Sequence, residues 1–375
     1  MQNTPYYIYD TSLFRETLKA AQSAASTIPN SHIHFAIKSN NNAGLLDIVA
    51  KEGLGADCVS GQEISRAIES GIPADKIMFA GVGKTDEEIK LALTAGIGCL
   101  NVESIPELEI INQLAGKQKK IANVAFRINP NVDAHTHANI TTGLEENKFG
   151  IAMEDMVETV HLAHSMPNIR YRGLHFHIGS QVLEFTCFKN LALRINELQD
   201  ILEGAGIHDT EIIDVGGGLG VDYDDPEGNP IPDFKGYFEA YRDNLKLRKG
   251  QSVHFELGRS LCAQCGQLIT RCIFVKKTKS KQFAIVDAGM TDLIRPALYG
   301  AHHKIVNLTG DEEMRPVETY DVVGPICESS DVFDKDIQLS QVRRGDLLAI
   351  KSAGAYGHVM SSAYNLRKIP AEILK

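Results

Sequence analysis

Residues 77–88 read IMFAGVGKTDEE. A short apolar run is followed by a corner with two glycines, and Thr85 then opens a polar segment of the kind that starts a helix. Thr85 is suited to cap the helix N-terminus, and Glu88, three residues later, completes the pattern of a capping box. The stretch therefore predicts one strand, one corner and one helix, in the order that is typical of a parallel sheet.

The same unit recurs from about residue 30 to residue 265. The helical stretches between the runs are amphipathic, and in one of them Ile64, Ala67 and Ile68 are spaced to form a single apolar face. The eight apolar runs occupy residues 34–37, 55–59, 77–80, 99–102, 122–128, 173–178, 211–215 and 253–257. Eight successive units favour a closed (β/α)8 barrel over an open doubly wound sheet. We therefore expect an α/β barrel, similar to a TIM barrel, at residues 30–265.

A different rhythm follows residue 265. Predicted strands at residues 269–275, 282–286, 318–323 and 346–350 are joined by turns, without helices comparable to those of the barrel. The apolar run at residues 6–9 also predicts a strand and is expected to join them. The sequence thus predicts an all-β domain built from residues 1–29 together with residues 266–375. Residues 222–233 are rich in Asp, Pro and Gly, which indicates a surface loop.

The composition is that of an ordinary globular protein, with 43% hydrophobic and 23% charged residues. The formal net charge of −10 argues against a nucleic-acid surface, because phosphate binding requires an excess of Lys and Arg on some face. The densest basic stretch, residues 276–281, is short and predicts a solvated turn between two strands. No nucleic-acid partner is expected.

The seven cysteines are irregularly spaced, which argues against a disulfide framework and favours reduced thiols. The first residues lack the basic and apolar regions of a signal peptide, and no run approaches the roughly 20 apolar residues of a membrane span. We therefore predict a soluble, cytoplasmic protein without a membrane partner.

Polar residues cluster where the predicted barrel strands end. In a barrel of this kind the catalytic groups lie just beyond the carboxyl ends of the strands, so this clustering predicts the active site. The residues are Lys38, Asp57, Arg127, Asn129, His177, Ser180, Gly216, Gly217, Gly218 and the segment from Glu256 to Arg259.

Two of these features together suggest a cofactor. Consecutive glycines at residues 216–218 let backbone N–H groups approach an anion, and the loop after the seventh strand is a frequent phosphate site in barrels. Lys38, if partly buried, would be a nucleophile toward a carbonyl. A phosphate site and a carbonyl-reactive lysine indicate pyridoxal phosphate. Each feature alone has a plainer interpretation, since glycine corners are often only turns and most lysines are solvated.

Metal and redox chemistry have weaker support. His175 with His177, His135 with His137, and Cys262 with Cys265 have spacings that could serve a metal pair. Zinc needs three or four converging ligands, and the sequence does not identify them. Cys262-x-x-Cys265 also matches a redox dithiol, but its context is not thioredoxin-like. We predict no metal.

Ordered motifs along nearly the whole chain then identify a family. The chain resembles the diaminopimelate decarboxylases, which are pyridoxal-phosphate-dependent group IV decarboxylases with the alanine-racemase-like fold. The segments that carry the resemblance are residues 35–40 (FAIKSN), 101–104 (NVES), 142–150 (TGLEENKFG), 175–181 (HFHIGSQ), 216–220 (GGGLG), 287–290 (DAGM), 293–299 (LIRPALY), 324–329 (GPICES) and 352–357 (SAGAYG).

The resemblance implies how the cofactor is bound. Lys38 would carry pyridoxal 5′-phosphate as a Schiff base, and His177 would stack on its ring. Asp57 would lie near the ring and the lysine, and Glu256 would pair with the pyridinium nitrogen, which strengthens the electron sink. The remaining implied contacts are the phosphate cradle of Ser180, Gly216, Gly217, Gly218 and the backbone of Gly258 and Arg259, and a contact from Tyr356.

The resemblance also implies the substrate. Arg259, Arg295, Tyr299, Glu328 and Tyr356 match substrate contacts, and Cys327 matches the proton donor of the reaction. Arginines hold a carboxylate bidentately and a glutamate pairs with an ammonium, so this pocket would select a second amino-acid end. The implied reaction is decarboxylation of meso-2,6-diaminopimelate to L-lysine, the last step of lysine biosynthesis.

In this family a second subunit completes each site with residues that include Cys327 and Glu328, so a homodimer with shared active sites is implied. One departure is visible, because the family usually has Glu-Pro-Gly-Arg where this chain has Glu256-Leu257-Gly258-Arg259. The missing proline affects backbone stiffness and leaves the reach of Arg259 less well defined.

Three alternatives stay open. A decarboxylase of ornithine, arginine or carboxynorspermidine would have no use for Arg295. An amino-acid racemase of this fold would resemble a chain with arginine in place of Glu256. A non-catalytic binding protein would be expected to lack Lys38 or Cys327.

Overall fold

The eight apolar runs form the eight strands of a closed parallel barrel, as predicted. This arrangement is seen in a computed structural model that describes residues 3–131 and 148–375. The strands of the described residues are β1 (Tyr6–Tyr9), β2 (Ser31–Ala36), β3 (Gly55–Cys58), β4 (Ile77–Phe79), β5 (Cys99–Val102), β6 (Ala122–Arg127), β7 (Ile169–His175), β8 (Ile212–Asp214), β9 (Ser252–Leu257), β10 (Gly266–Lys277), β11 (Gln282–Val286), β12 (Ile305–Asn307), β13 (Val317–Val323), β14 (Val332–Ser340), β15 (Leu347–Ile350) and β16 (Ala371–Leu374).

Helices alternate with the barrel strands, whereas the α-helices that follow β9 in the described residues have no more than five residues each. The α-helices of the described residues are α1 (Thr11–Ala25), α2 (Ala43–Lys51), α3 (Gly61–Glu69), α4 (Asp86–Ala95), α5 (Ile105–Gln118), α6 (Met156–Ser165), α7 (Phe185–Gly204), α8 (Phe234–Arg242), α9 (Arg259–Cys262), α10 (Arg295–Tyr299) and α11 (Leu308–Glu312). The predicted alternation of strand and helix is therefore confirmed for the barrel.

The chain forms two compact units. The barrel unit comprises Leu18–Gly220 and Asp233–Gly258, and the sheet unit comprises Met1–Thr17, Val221–Pro232 and Arg259–Lys375. The predicted domain limits, 30–265 and 1–29 with 266–375, concern segments that fold independently, and they stay a prediction.

The barrel closes because its first and last strands pair in register. Parallel pairing of β2 with β9 runs from Ser31 opposite Val253 to Phe35 opposite Leu257. The strands carry nearly continuous buried runs, which is the pattern expected when helices cover the outside and side chains fill the inside. All eight strands are parallel, so their carboxyl ends meet at one mouth of the barrel.

Two local predictions can be compared with the structure. The capping box is confirmed, since the Thr85 hydroxyl accepts from the Glu88 backbone N–H and the Glu88 carboxylate accepts from that of Thr85. The predicted apolar face of α3 is only partly right. Ile64 and Ala67 are fully buried, but Ile68 is 41% exposed, because it lies at the edge of the buried stripe of a short helix.

The sheet unit contains an eight-stranded sheet in which the strand order is β12-β15-β10-β11-β13-β14. The first strand joins it as predicted, since β1 pairs antiparallel with β10 and parallel with β16. The strands β12, β14 and β16 and the helices α10 and α11 were not predicted. β14 carries Asp334, Lys335 and Asp336 in its middle, and a strand with solvated charges lacks the apolar run that marks a strand.

Residues 278–281 of the basic segment form the expected turn between β10 and β11, where the Thr278 N–H donates to the Lys281 carbonyl, but Lys276 and Lys277 belong to β10 and pair with β11. Among the helices of residues 3–131 and 148–375, none is both long and apolar enough to traverse a bilayer.

Lys84, in the corner between β4 and α4, generates a stability prediction. Its buried Nζ donates to the carbonyls of Gly81 (2.8 Å) and Asn101 (2.7 Å) and to the Glu107 carboxylate (2.6 Å). We expect Lys84→Met to lower the free energy of unfolding by about 3–5 kcal/mol, because it leaves a buried carboxylate without its partner. Urea denaturation measures the loss.

Lys90→Met is the matched control. Lys90 pairs with Glu87 at 3.8 Å, but its side chain is 45% exposed, so the same substitution should change stability by less than about 0.5 kcal/mol. Equal effects of the two substitutions would contradict a structural role of the buried ion pair.

Candidate active site

Lys38 lies directly after β2, in a short 3-10 turn spanning Ile37–Ser39. Its Nζ is 2.7 Å from Oδ2 of Asp57, which is fully buried in the neighbouring strand β3. The two residues meet because β2 and β3 pair in register, with Ala36 opposite Asp57. Burial and the nearby Glu256 raise the pKa of Asp57, and Lys38 acts in the opposite direction. Asp57 thus lies next to Lys38, as predicted.

The glycines after β8 form a corner that other residues would not fit. Gly216 and Gly218 have φ angles of +69° and +110°, in the left-handed region that favours glycine. A Cβ atom on Gly217 would lie 2.0 Å from the carbonyl oxygen of Glu256. The corner can therefore bring bare backbone close to a ligand, which is the property expected of a phosphate cradle.

Two further predicted cradle residues border the same mouth of the barrel. Gly258 packs closely on the turn that carries Lys38, since a Cβ atom there would lie 2.9 Å from Oγ of Ser39. Ser180 lies in the loop after β7 that also contains His177. The observed end of β7 at His175, earlier than predicted, places both of these residues beyond the strand.

Glu256 is buried near the end of β9 and has a partner for each oxygen. His175 Nε2 is 3.1 Å from Oε2, and the Asn101 side-chain amide donates to Oε1 at 3.3 Å. Burial alone would raise the pKa of Glu256, but the contact with His175 and the nearby charge of Lys38 together lower the pKa below its usual range. Glu256 is therefore an anion in the interior of the barrel.

Asp214, at the end of the neighbouring strand β8, is neutral, unlike Glu256. Burial, with the added repulsion of Glu256, holds the pKa of Asp214 well above its usual range. Its Oδ1 accepts from the Gly216 N–H at 2.9 Å, which ties it to the glycine corner. Burial also lowers the pKa of His177, aided by Arg127 and Lys38, so that its imidazole is neutral.

Sequence reasoning missed Asn101, His175 and Asp214 as site residues. All three are buried polar residues of barrel strands, and Asn101 and His175 contact Glu256, near which Asp214 also lies. Their polar side chains within predicted barrel strands were the signal that could have identified them as site residues. The contact of His175 is with Glu256, and no metal pair with His177 is needed to explain it. His135 and His137 lie outside the described residues, as do residues 142–147 of one family motif.

The sheet unit brings together three of the predicted substrate and cofactor contacts. The Arg259 guanidinium lies 4.8 Å from the centre of the Tyr356 ring, and Arg259 Nη1 donates to the hydroxyl of Tyr223 at 2.6 Å. Arg295 lies 4.8 Å from the centre of the same Tyr223 ring. Tyr223 belongs to the predicted surface loop at residues 222–233, and that loop does lack helix and strand, but Tyr223 itself is only 9% exposed.

None of the other predicted residues of the sheet unit, Cys327, Glu328 and Tyr299, is fully buried. Cys327 is exposed in the segment between β13 and β14, where its backbone N–H donates to the side chain of Asn365 at 3.4 Å. Glu328 is also exposed, and it accepts from the Tyr364 hydroxyl at 2.8 Å. Tyr299 is the half-buried last residue of α10.

Comparisons with known proteins agree with this geometry. Residues 14–263 match the family described as "Pyridoxal-dependent decarboxylase, pyridoxal binding domain". Diaminopimelate decarboxylase of Bacteroides thetaiotaomicron is 59% identical over 98% of this chain and 94% of its own length. Diaminopimelate decarboxylase of Zymomonas mobilis is 44% identical over 99% of this chain and 87% of its own.

The chain belongs to the diaminopimelate decarboxylases. A crystal structure of diaminopimelate decarboxylase from Helicobacter pylori, complexed with L-lysine, superposes with a TM-score of 0.94 and 39% sequence identity. That alignment covers 100% of this chain and 92% of the other. The predicted family, the α/β barrel with an all-β domain, and the enzyme class are therefore confirmed.

Pyridoxal 5′-phosphate is the cofactor of a diaminopimelate decarboxylase, as predicted, and the barrel unit fits it. The glycine corner admits a ligand close to the backbone at residues 216–218, and Lys38 supplies an amine at the same mouth of the barrel. Glu256 supplies the buried anion that a pyridinium nitrogen requires.

The different charge states of Glu256 and Asp214 generate a prediction for this chain. Glu256→Gln removes the buried anion and should lower kcat by about 10²-fold, the usual order for losing one preorganised electrostatic contact. Asp214→Asn should change kcat by less than about threefold, because the amide matches the neutral carboxyl that burial already maintains. Steady-state kinetics with saturating cofactor measures both values, and equal losses would show that the two acids share one charge state.

Proposed function

We propose that this chain decarboxylates meso-2,6-diaminopimelate to L-lysine and CO₂, the last step of lysine biosynthesis. One observation carries the choice of substrate. Arg295 is 5% exposed, and among the described residues it has no Asp or Glu within salt-bridge distance. A buried guanidinium without an acidic partner favours a ligand that brings a carboxylate of its own.

The barrel unit would hold the cofactor. In this proposal Lys38 carries its aldehyde, and Asp57, 2.7 Å from Nζ, orients the amine. Glu256 pairs with the ring nitrogen and His177 lies against the ring. The phosphate is held by Ser180, Gly216, Gly217, Gly218, Gly258 and the backbone of Arg259, and Tyr356 adds a contact. When bound, the cofactor supplies the electron sink for the electron pair that remains when CO₂ leaves.

The sheet unit would hold the end of the substrate that does not react. Arg259 and Arg295 bind its carboxylate, Glu328 pairs with its ammonium, and Tyr299 and Tyr356 line the site. The departing carboxylate is replaced by a proton, for which the Cys327 thiol is the proposed donor. The exposure of Cys327 and Glu328 supports this role only if another surface covers them.

We propose that this surface is a second copy of the chain, as in the shared active sites that the family resemblance implies. Cys327 and Glu328 of one subunit would then complete the site that contains Lys38 of the other. We also propose a cytoplasmic location. It is supported by the cysteines, since none of the seven, all within the described ranges, forms a disulfide.

The activity can be tested directly with purified protein, cofactor and meso-diaminopimelate. We expect stoichiometric release of CO₂ and L-lysine, and loss of both with Lys38→Ala. Arg295→Ala should raise KM for diaminopimelate by tenfold or more, since a charged hydrogen-bonding partner is worth about 1.5–3 kcal/mol. Release of CO₂ from ornithine but not from diaminopimelate would overturn the proposed substrate.

Sharing of the site between subunits can be tested with differently tagged chains that are purified as heterodimers. A dimer of one Lys38→Ala chain and one Cys327→Ala chain should have about half of the wild-type activity, because one of its two sites is intact. A dimer of a wild-type chain and a chain with both substitutions should be inactive. If each subunit used only its own residues, these two results would be exchanged.

A further inference from the structure

His303 lies against the buried arginine cluster of the sheet unit and is not explained by the function proposed above. His303 lies four residues after the end of α10, and its side chain is buried. His303 Nε2 is 2.7 Å from Arg295 Nη1, and its Nδ1 is 2.9 Å from the Lys351 carbonyl oxygen. The imidazole also packs edge-on against the Tyr223 ring, with ring centres 5.0 Å apart.

These contacts fix the tautomer of His303. Burial lowers the pKa of His303 to about 3, with Arg295 as the next cause, so the ring is neutral. A carbonyl oxygen can only accept, so Nδ1 carries the hydrogen and donates it to Lys351. The lone pair of Nε2 is therefore directed to Arg295, whose Nη1–H donates to it.

The guanidinium of Arg295 is held on two sides by groups without formal charge. His303 binds one end through Nη1, and the Tyr223 ring lies against Arg295. Arg295 Nε is buried and makes no hydrogen bond within the described part of the chain. Neutral partners fix the direction of a cation without satisfying its charge, so the charge and the Nε–H remain available for a bidentate anion.

We propose that His303 is a specificity-determining positioning residue, which orients Arg295 toward the carboxylate of the substrate's unreactive end. The inference rests on the proposed function, since it assigns that carboxylate to Arg295. A glutamate at position 303 could orient the guanidinium equally well, but it would neutralise the charge that the substrate needs. A neutral histidine orients the guanidinium and leaves its charge intact.

Two ligands that differ only by the carboxylate test this proposal. L-lysine retains the carboxylate of the unreactive end, and cadaverine has the same carbon chain without it. Both are titrated into the holoenzyme, and binding is followed by calorimetry and by the absorbance of the bound cofactor. For His303→Phe, which retains the ring contact with Tyr223 but removes the acceptor, we expect L-lysine to bind about tenfold more weakly or worse. Cadaverine affinity should change by less than about twofold.

Two control variants separate orientation from general damage. His303→Gln places an amide oxygen near the position of Nε2 and should restore most of the affinity for L-lysine. His302→Phe alters the neighbouring histidine, which is 45% exposed and pairs with Asp224 and Asp334, and should change neither affinity. Equal weakening of both ligands in His303→Phe, or no weakening of L-lysine, would overturn the proposal. A wild-type enzyme that binds both ligands equally would instead overturn the proposed function.

Discussion

Closure of the barrel by the pairing of β2 with β9 is the constraint on which the cofactor site depends. Lys38 follows the first barrel strand and Glu256 lies near the end of the last. These residues are 218 positions apart in the chain. Only the registered pairing of Ser31–Phe35 with Val253–Leu257 places their ends at one mouth. Pairing of β2 with the next strand, β3, places Asp57 at the same mouth. Backbone hydrogen bonds that carry no chemical specificity thus assemble an amine and two carboxylates in one place.

Burial then decides which of these groups are charged. Glu256 and Asp214 are both buried carboxylic acids on adjacent strands, but only Glu256 has the contact with His175 that, with the nearby Lys38, lowers its pKa. The sheet unit follows the same rule, because burial keeps His303 neutral beside the cationic Arg295. The neutral His303 thus orients Arg295 without cancelling its charge.

The barrel and the glycine corner could be predicted because their signals are local. An apolar run, a corner and an amphipathic helix are each visible within about a dozen residues, and their count determined the architecture. Residues whose roles arise from contacts distant in sequence escaped prediction. Tyr223 lies in a loop of polar composition, and its burial follows from packing against Arg259 and Arg295. The charged middle of β14 was missed for the same reason, since pairing with β13 specifies it.

Burial of Arg295 in the sheet unit also affects stability. A guanidinium that is removed from water without an acidic neighbour lowers the stability of the fold that encloses it. An apolar side chain of similar volume at position 295 would be easier for the folded state to accommodate, but it could not bind the carboxylate that we propose for Arg295. Selection for stability and selection for substrate choice therefore act on this position in opposite directions. A substrate that binds Arg295 as proposed would supply the missing negative charge and so stabilise the folded protein while it is bound.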